Sequence, residues 1–423
     1  MKKINFSTGK LVAALVMVCI TVLAYMHSSL EGVLYANTFL TTAMIARESV
    51  MRLRNALVMK ALVYNDYSND FQKQGDSIRV KKPATYTAAE FTSTISAQAL
   101  VEDSVTIQLN HLADVSIALT AKEEAMNIDN FADQLITPAM QAIAQKIDVD
   151  ILTESYKGIP YFAGTSGTTP DGLDDFAAAA KVLNLNKAPQ DLRRAVWSPT
   201  SQAAFSVIPS LINAEKSGST DALRNGSIGK VFGLENFMSQ NVVTHTPGTY
   251  TGVTSPVIKT TGVVAASTLD IKSSTASALT LKQGDLFTVT SATTGIVYNY
   301  VVTDASPVTS SGTAATGITV NVYPAVQVAH AVNDVVTFPD CVSTVIKNSV
   351  QNLVFHPKAI AFVQRPLVAP ASLGPDAYTA SFEGISIRVV KGYDLSTKTS
   401  TISFDTLYGI KVINPALAVR YLG

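Results

Sequence analysis

Charge is the scarcest ingredient of this chain. Lysine, arginine, aspartate and glutamate make up 15% of its 423 residues, where an average soluble domain carries about 25%. The two signs cancel, with Lys+Arg and Asp+Glu both at 32, so the formal net charge at pH 7 is zero. A weakly charged, neutral exterior resists association poorly. That is a solubility problem for a free monomer and none for a subunit packed among copies of itself. No long basic run occurs, so the clustered phosphate neutralisation that tight DNA wrapping needs is not indicated. The two cysteines, Cys19 and Cys341, are 322 positions apart, and no disulfide framework is indicated.

Signatures of catalysis are missing as well. The chain holds no G-x-S-x-G, H-E-x-x-H or C-x-x-C, and His27, His111, His245, His330 and His356 stand singly. Asp174 and Asp175 are adjacent, which on a helix points them about 100° apart and argues against a converging acid/base pair. Gly226, Gly229 and Gly233 with Lys230 invite a phosphate-loop reading. It fails, because Arg224 stands where the first glycine belongs and Val231 where Ser or Thr must follow the lysine. No catalytic, cofactor-binding or metal-binding residue is assigned, and the chain reads as a non-enzyme.

What is present is a series of distinct segments, more than one ordinary core can hold. Lys2, Lys3 and Lys10 precede an uncharged apolar run over residues 11–26, LVAALVMVCITVLAYM. This is the layout of a signal peptide, but at 16 residues the run is short of the roughly 20 that span a bilayer. It serves equally as a packing arm or as an upstream extension of the reading frame. Thr41 or Thr42 can cap a helix in which Met44, Ile45, Val50, Leu53, Leu57, Ala61 and Leu62 share a face, with Arg47 and Arg52 among the charges between them. Ile78 and Val80 alternate with Arg79 and Lys81, and Val105, Ile107 and Leu109 alternate again, which predicts a hairpin with a long excursion. Thr137-Pro138 opens the clearest amphipathic helix, through Met140, Ile143, Ala144, Ile147, Ile151 and Leu152.

Beyond it, an Ala-rich helix from Asp174, a strand at Val196 and Trp197, and a helix over residues 203–208 are expected. Composition then shifts. The 96 residues 245–340 hold eight charged side chains and 28 Ser plus Thr, with strand-like runs at 286–290, 297–302, 318–322 and 335–338 between turns, the pattern of a small barrel or sandwich. Residues 352–367, NLVFHPKAIAFVQRPL, read as a strand to Phe355, a break at His356-Pro357, and a short helix carrying Ala359, Ile360, Phe362 and Val363. Strands at 381–390 and 400–412 follow.

Three stretches carry a resemblance: residues 223–242 with RNGSIGKVFGLENFMSQNV, residues 281–326 with LKQGDLFTV and GITVNVYPAV, and residues 352–367. Together they resemble the major capsid (coat) proteins of short-tailed bacteriophages. ADQLITPAMQAIAQKIDVDIL is similar to that family's spine helix. The resemblance implies an α+β, Hong Kong 97-like fold with an inserted all-β barrel domain. It divides the chain into an apolar leader (1–35), N-terminal arm (36–72), extended loop (73–120), spine helix and peripheral domain (121–172), axial domain (173–244), inserted barrel (245–345), axial return (346–380) and peripheral closing strands (381–423). Family chains commonly begin near the equivalent of Ala36, which favours the upstream-extension reading of the leader.

The implied work is self-assembly into pentamers and hexamers of an icosahedral head, in the virion, around double-stranded DNA. A scaffolding protein and a portal are the implied partners; no cofactor and no membrane are expected. Arg79, Lys81, Lys82, Glu90, Glu102 and Asp103 on the extended loop, with Arg47 and Arg52 on the arm, are the candidate interface residues. The alternative from composition is a secreted or cell-surface β-rich binding protein exported by the apolar leader.

Overall fold

The computed structural model describes residues 42–65, 77–81, 104–120, 132–213, 218, 224–250, 256–273, 279–310, 317–342, 345–382 and 384–423. The leader and the Thr41 half of the proposed cap lie outside them.

A helix over Thr42–Ala56 buries Ile45, Ala46, Ser49, Val50 and Leu53, the i, i+3, i+4 stripe that the sequence displays. The helix does not continue to Leu62 as expected. It stops at Ala56 and one further turn forms over Met59–Leu62. The reason lies 90 residues downstream: the Asp148 carboxylate accepts the backbone N–H groups of Met59 at 3.1 Å and Val58 at 3.3 Å, satisfying donors that a continuous helix would have used. Asp148 belongs to the long helix Thr137–Lys157, which buries Met140, Ile143, Ala144, Ile147, Ile151 and Leu152. A π-helical turn, Ala132–Ile136, leads into it, so Thr137 is inside the helix and not its cap. Pro138 occupies the first turn as expected, where its missing N–H costs nothing.

These helices cover a five-stranded antiparallel sheet. Its longest strand, Thr399–Val412, pairs with His111–Thr120, Ile385–Asp394 and Ile360–Arg365, and Ala377–Phe382 extends the edge. The expected helix at 359–363 is therefore corrected. One 3-10 turn, Pro357–Ala359, is followed by a strand in which Ile360, Ala361, Phe362 and Val363 are all fully buried. A short apolar run buried on both faces looks alike as helix or strand from its sequence, and the sheet neighbour decided it.

A second sheet of seven strands runs in the order Phe162–Gly164, Ala418–Leu422, Ser349–Phe355, Arg194–Trp197, Leu234–Met238 and Lys230–Val231, with Thr244–His245 also on Ser349–Phe355. Two of its pairings are parallel. The last strand, Ala418–Leu422, thus leaves the five-stranded sheet and completes this one, so residues 381–423 are split between two sheets. Under the second sheet Trp197 meets Phe176, Phe205 and Tyr421, with ring centroids 4.9 to 5.5 Å away. The Ala-rich helix supplying Phe176 spans Leu173–Leu185, and the next helix starts at Pro199 on a Ser198 cap, earlier than the expected 203.

The third body is a closed barrel of six strands, in the order Thr268–Lys272, Ile318–Tyr323, Val297–Val302, Leu286–Thr290, Val335–Thr337 and Val257–Ile258. Closure removes the free edges that a Thr-rich sheet would otherwise expose. Ile318–Tyr323 alternates buried and exposed residues, and Phe287, Val289, Tyr300, Val302 and Val320 fill the interior.

Candidate assembly surfaces

The hairpin is the first surface. Ser77–Lys81 pairs with Ser104–Gln108 in antiparallel register, Val80 opposite Val105 and Ile78 opposite Ile107. At its base Val80 and Ile107 are buried with Ala361, Val363 and Ile413 of the body. The sequence pattern gave no hint of this anchorage, because the partners lie more than 250 positions away. Arg79 points outward and is exposed. The backbone of Lys81 is in the strand; Lys82, Glu90, Glu102 and Asp103 lie outside the described residues.

On the arm, Arg47 is exposed. Arg52 is engaged within its own chain: its Nε lies 2.7 Å from Glu48 Oε1 and an Nη1 donates to the Thr137 hydroxyl. Arg54 stacks over the Phe382 ring at 5.5 Å. Arg194 donates to the carbonyls of Leu62 at 2.7 Å and Ala61 at 3.1 Å. These contacts moor the arm helices to both the long helix and the sheet.

The barrel offers the third surface. Val263, Val264, Ile296, Val297, Val332 and Val335 are each about half or more exposed, and no charged residue falls within 260–267 or 292–298. The barrel is seated on the body through Leu286 and Val301, which pack on Leu422, and through a buried polar cluster. In that cluster His245 Nε2 is 2.7 Å from Asp285 Oδ1, and Arg420 donates to the Gly284 carbonyl at 2.8 Å and to Gln351 Oε1 at 2.7 Å. None of these residues was singled out from the sequence for such a role. One signal was available: Arg420 is a lone charge inside the apolar strand Ala418–Leu422.

Among the described residues no group of three His, Cys, Asp or Glu is arranged to hold a metal ion. No described helix is long and apolar enough to cross a membrane. Asp175 accepts the backbone N–H of Gly172 at 2.9 Å and the Tyr421 hydroxyl. The Gly226 to Gly233 loop makes turns, with Gly226, Gly229 and Gly233 all at positive φ.

Residues 36–423 match the family model described as P22 coat protein, gene protein 5. The chain belongs to the P22 coat protein family. It is accordingly a major capsid protein of a bacteriophage, a building block of the icosahedral head and a component of the virion. The secreted-binder alternative has no support. No curated protein matches the chain. Among solved structures, a chain of Mycobacterium phage Che8 gives a TM-score of 0.48 at 15% identity, with 86% of this chain and 90% of that one covered. The mature capsid of bacteriophage PhiM1 gives 0.44 at 12% identity, with 83% of each chain covered. The capsid of cyanophage P-SCSP1u gives 0.43 at 14%, covering 86% of this chain and 88% of that one. Membership rests on the family match and not on these likenesses.

Proposed function

We propose that this coat protein has the Hong Kong 97-like architecture, with the barrel as an inserted domain, and tiles into pentamers and hexamers that close through heterologous contacts. The observation that carries the reading furthest is the hairpin. A two-stranded ribbon is marginal by itself in water, and among its described residues Val80 and Ile107 pack on the body while Arg79 is exposed. Such an element finds its remaining partners on a neighbouring subunit. Arg79, Lys81, Lys82, Glu90, Glu102 and Asp103 form its ion pairs in that lattice, each worth about 0–1 kcal/mol where exposed, and Arg47 serves the arm. Arg52 acts mainly within its own chain, pairing with Glu48 one turn earlier in the arm helix and holding that helix to Thr137 of the long helix. The exposed aliphatic residues of the barrel supply a further contact.

Assembly is guided by a scaffolding protein, one vertex holds a portal, and double-stranded DNA is enclosed without sequence-specific contacts, in keeping with zero net charge. The chain from about Ala36, coexpressed with its scaffolding protein, gives closed shells in negative-stain micrographs. Recovery of a persistent soluble monomer under those conditions overturns the reading.

A further inference from the structure

The seat of the barrel contains a charge where packing alone asks for none. Arg420 is fully buried in the strand next to Ser349–Phe355, and its neighbour Leu422 already supplies the apolar contact to Leu286 and Val301. Burying a guanidinium costs several kcal/mol before its partners repay it, and an apolar residue of similar size is often as stable or more so. Burial draws the Arg420 pKa down to about 10, opposed chiefly by the charge of Asp340, so the side chain is cationic at neutral pH.

Its partners come from three separate elements. Gln351, 2.7 Å from Nε, is in the seven-stranded sheet. The Tyr156 ring, with its centroid 5.0 Å from the guanidinium carbon, is on the last turn of the long helix. The Gly284 carbonyl, 2.8 Å from Nη1, belongs to the barrel turn. Gly284 has φ +93°, and a Cβ there would fall 2.8 Å from the Tyr156 ring, so the turn is pressed directly on the helix. Next to it Asp285 accepts the backbone N–H groups of Lys282 at 2.8 Å and Gly248 at 3.1 Å and meets His245. At the other end of the barrel segment, Asp340 receives the Ser166 hydroxyl from the body. Arg420 Nη2, Asp340 Oδ2 and the Tyr250 hydroxyl are buried without a protein partner.

We propose that Arg420 is the positioning residue that fixes the orientation of the barrel on the body, clamping the Gly284 turn between the long helix and the seven-stranded sheet. Leu286 and Val301 supply adhesion, which is non-directional; the fork of Arg420 supplies direction, because its Nε bond to Gln351, its Nη1 bond to Gly284 and its contact with the Tyr156 ring are made together in one relative pose. Replacing it therefore loosens the pose more than it weakens either body.

Hydrogen exchange on the purified full-length subunit tests this, whatever the mode of assembly. In Arg420→Met, the amides of Gly248, Lys282 and Gly284 exchange roughly tenfold faster or more, equivalent to about 1.4 kcal/mol of lost local protection. Amides of the Leu269/Val320 ladder inside the barrel and of the Ile402 region in the five-stranded sheet keep their rates. Arg420→Lys, which retains the cation but not the fork, protects the seat only partly. Uniform acceleration through barrel and body, or no change at the seat, overturns the proposal. Tyr156→Leu removes the ring beneath the guanidinium and gives the same localised pattern if Arg420→Met does not accumulate. Failure of both variants to fold shows a global requirement and overturns it too.

Discussion

Asp148 shows at the residue scale how burial and hydrogen bonding compete. It is 2% exposed, and desolvation pushes its pKa from 3.8 up to about 6 while the amides of Met59 and Val58 pull the other way. A carboxyl whose folded-state pKa is raised binds its proton more tightly in the native state. Its stabilising contribution is complete below the unfolded value and is lost as pH rises through about 6. The expected loss between pH 4 and pH 7 is on the order of 2 kcal/mol. In Asp148→Asn this part of the pH dependence flattens, as measured by denaturant unfolding across that range, while the amide oxygen still accepts from Met59. A steeper dependence in the variant contradicts the assignment. The sequence displayed the apolar stripe of the arm helix but not its interruption, because the group that satisfies Val58 and Met59 is remote in the chain.

Among the elements, the ones read correctly are those whose pattern is local. Met140 to Leu152 keep helical spacing, and Ile318–Tyr323 alternates; each period is sufficient by itself. The run Ile360 to Val363 misled, since burial on both faces erases alternation, and pairing with residues 409–412 makes it a strand. The hairpin was legible as two strands, whereas its apolar footing on Ala361 and Val363 was not. Two substitutions separate footing from surface. Ile107→Ala removes buried volume at the footing and costs about 2–5 kcal/mol of subunit stability, read from urea unfolding. Arg79→Glu leaves that stability within about 0.5 kcal/mol but slows shell formation, followed by light scattering. If Arg79→Glu assembles at the parental rate, the outer charges of the hairpin have no part in the lattice.

At the scale of the whole molecule, the barrel interior and the helix-covered sheets are separate hydrophobic clusters that share no buried member. The abrupt change of composition at residue 245 made the existence of a β-rich unit readable; its place against Arg420, Tyr156 and Leu422 depends on contacts that no local pattern encodes. The lone Trp197 lies in the aromatic cluster of the body with Phe176, Phe205 and Tyr421, so its fluorescence reports that body and not the barrel. Denaturant curves followed by tryptophan emission and by far-ultraviolet circular dichroism are expected not to coincide, as separate cooperative units require. Superimposed curves would mean that the two units melt as one.

The position of Ala418–Leu422 bears on how a usable subunit is made. This strand is translated after nearly everything it touches, yet it lies between Phe162–Gly164 and Ser349–Phe355, and Gly423 exchanges backbone bonds with Val350 at 2.9 and 3.1 Å. Until the ribosome delivers it, the seven-stranded sheet has an open slot, the aromatic cluster lacks Tyr421, and the Gly284 carbonyl lacks its bond from Arg420. A polypeptide interrupted before residue 418 therefore lacks three things at once: the strand that fills this slot, the Tyr421 ring and the Arg420 bond to Gly284.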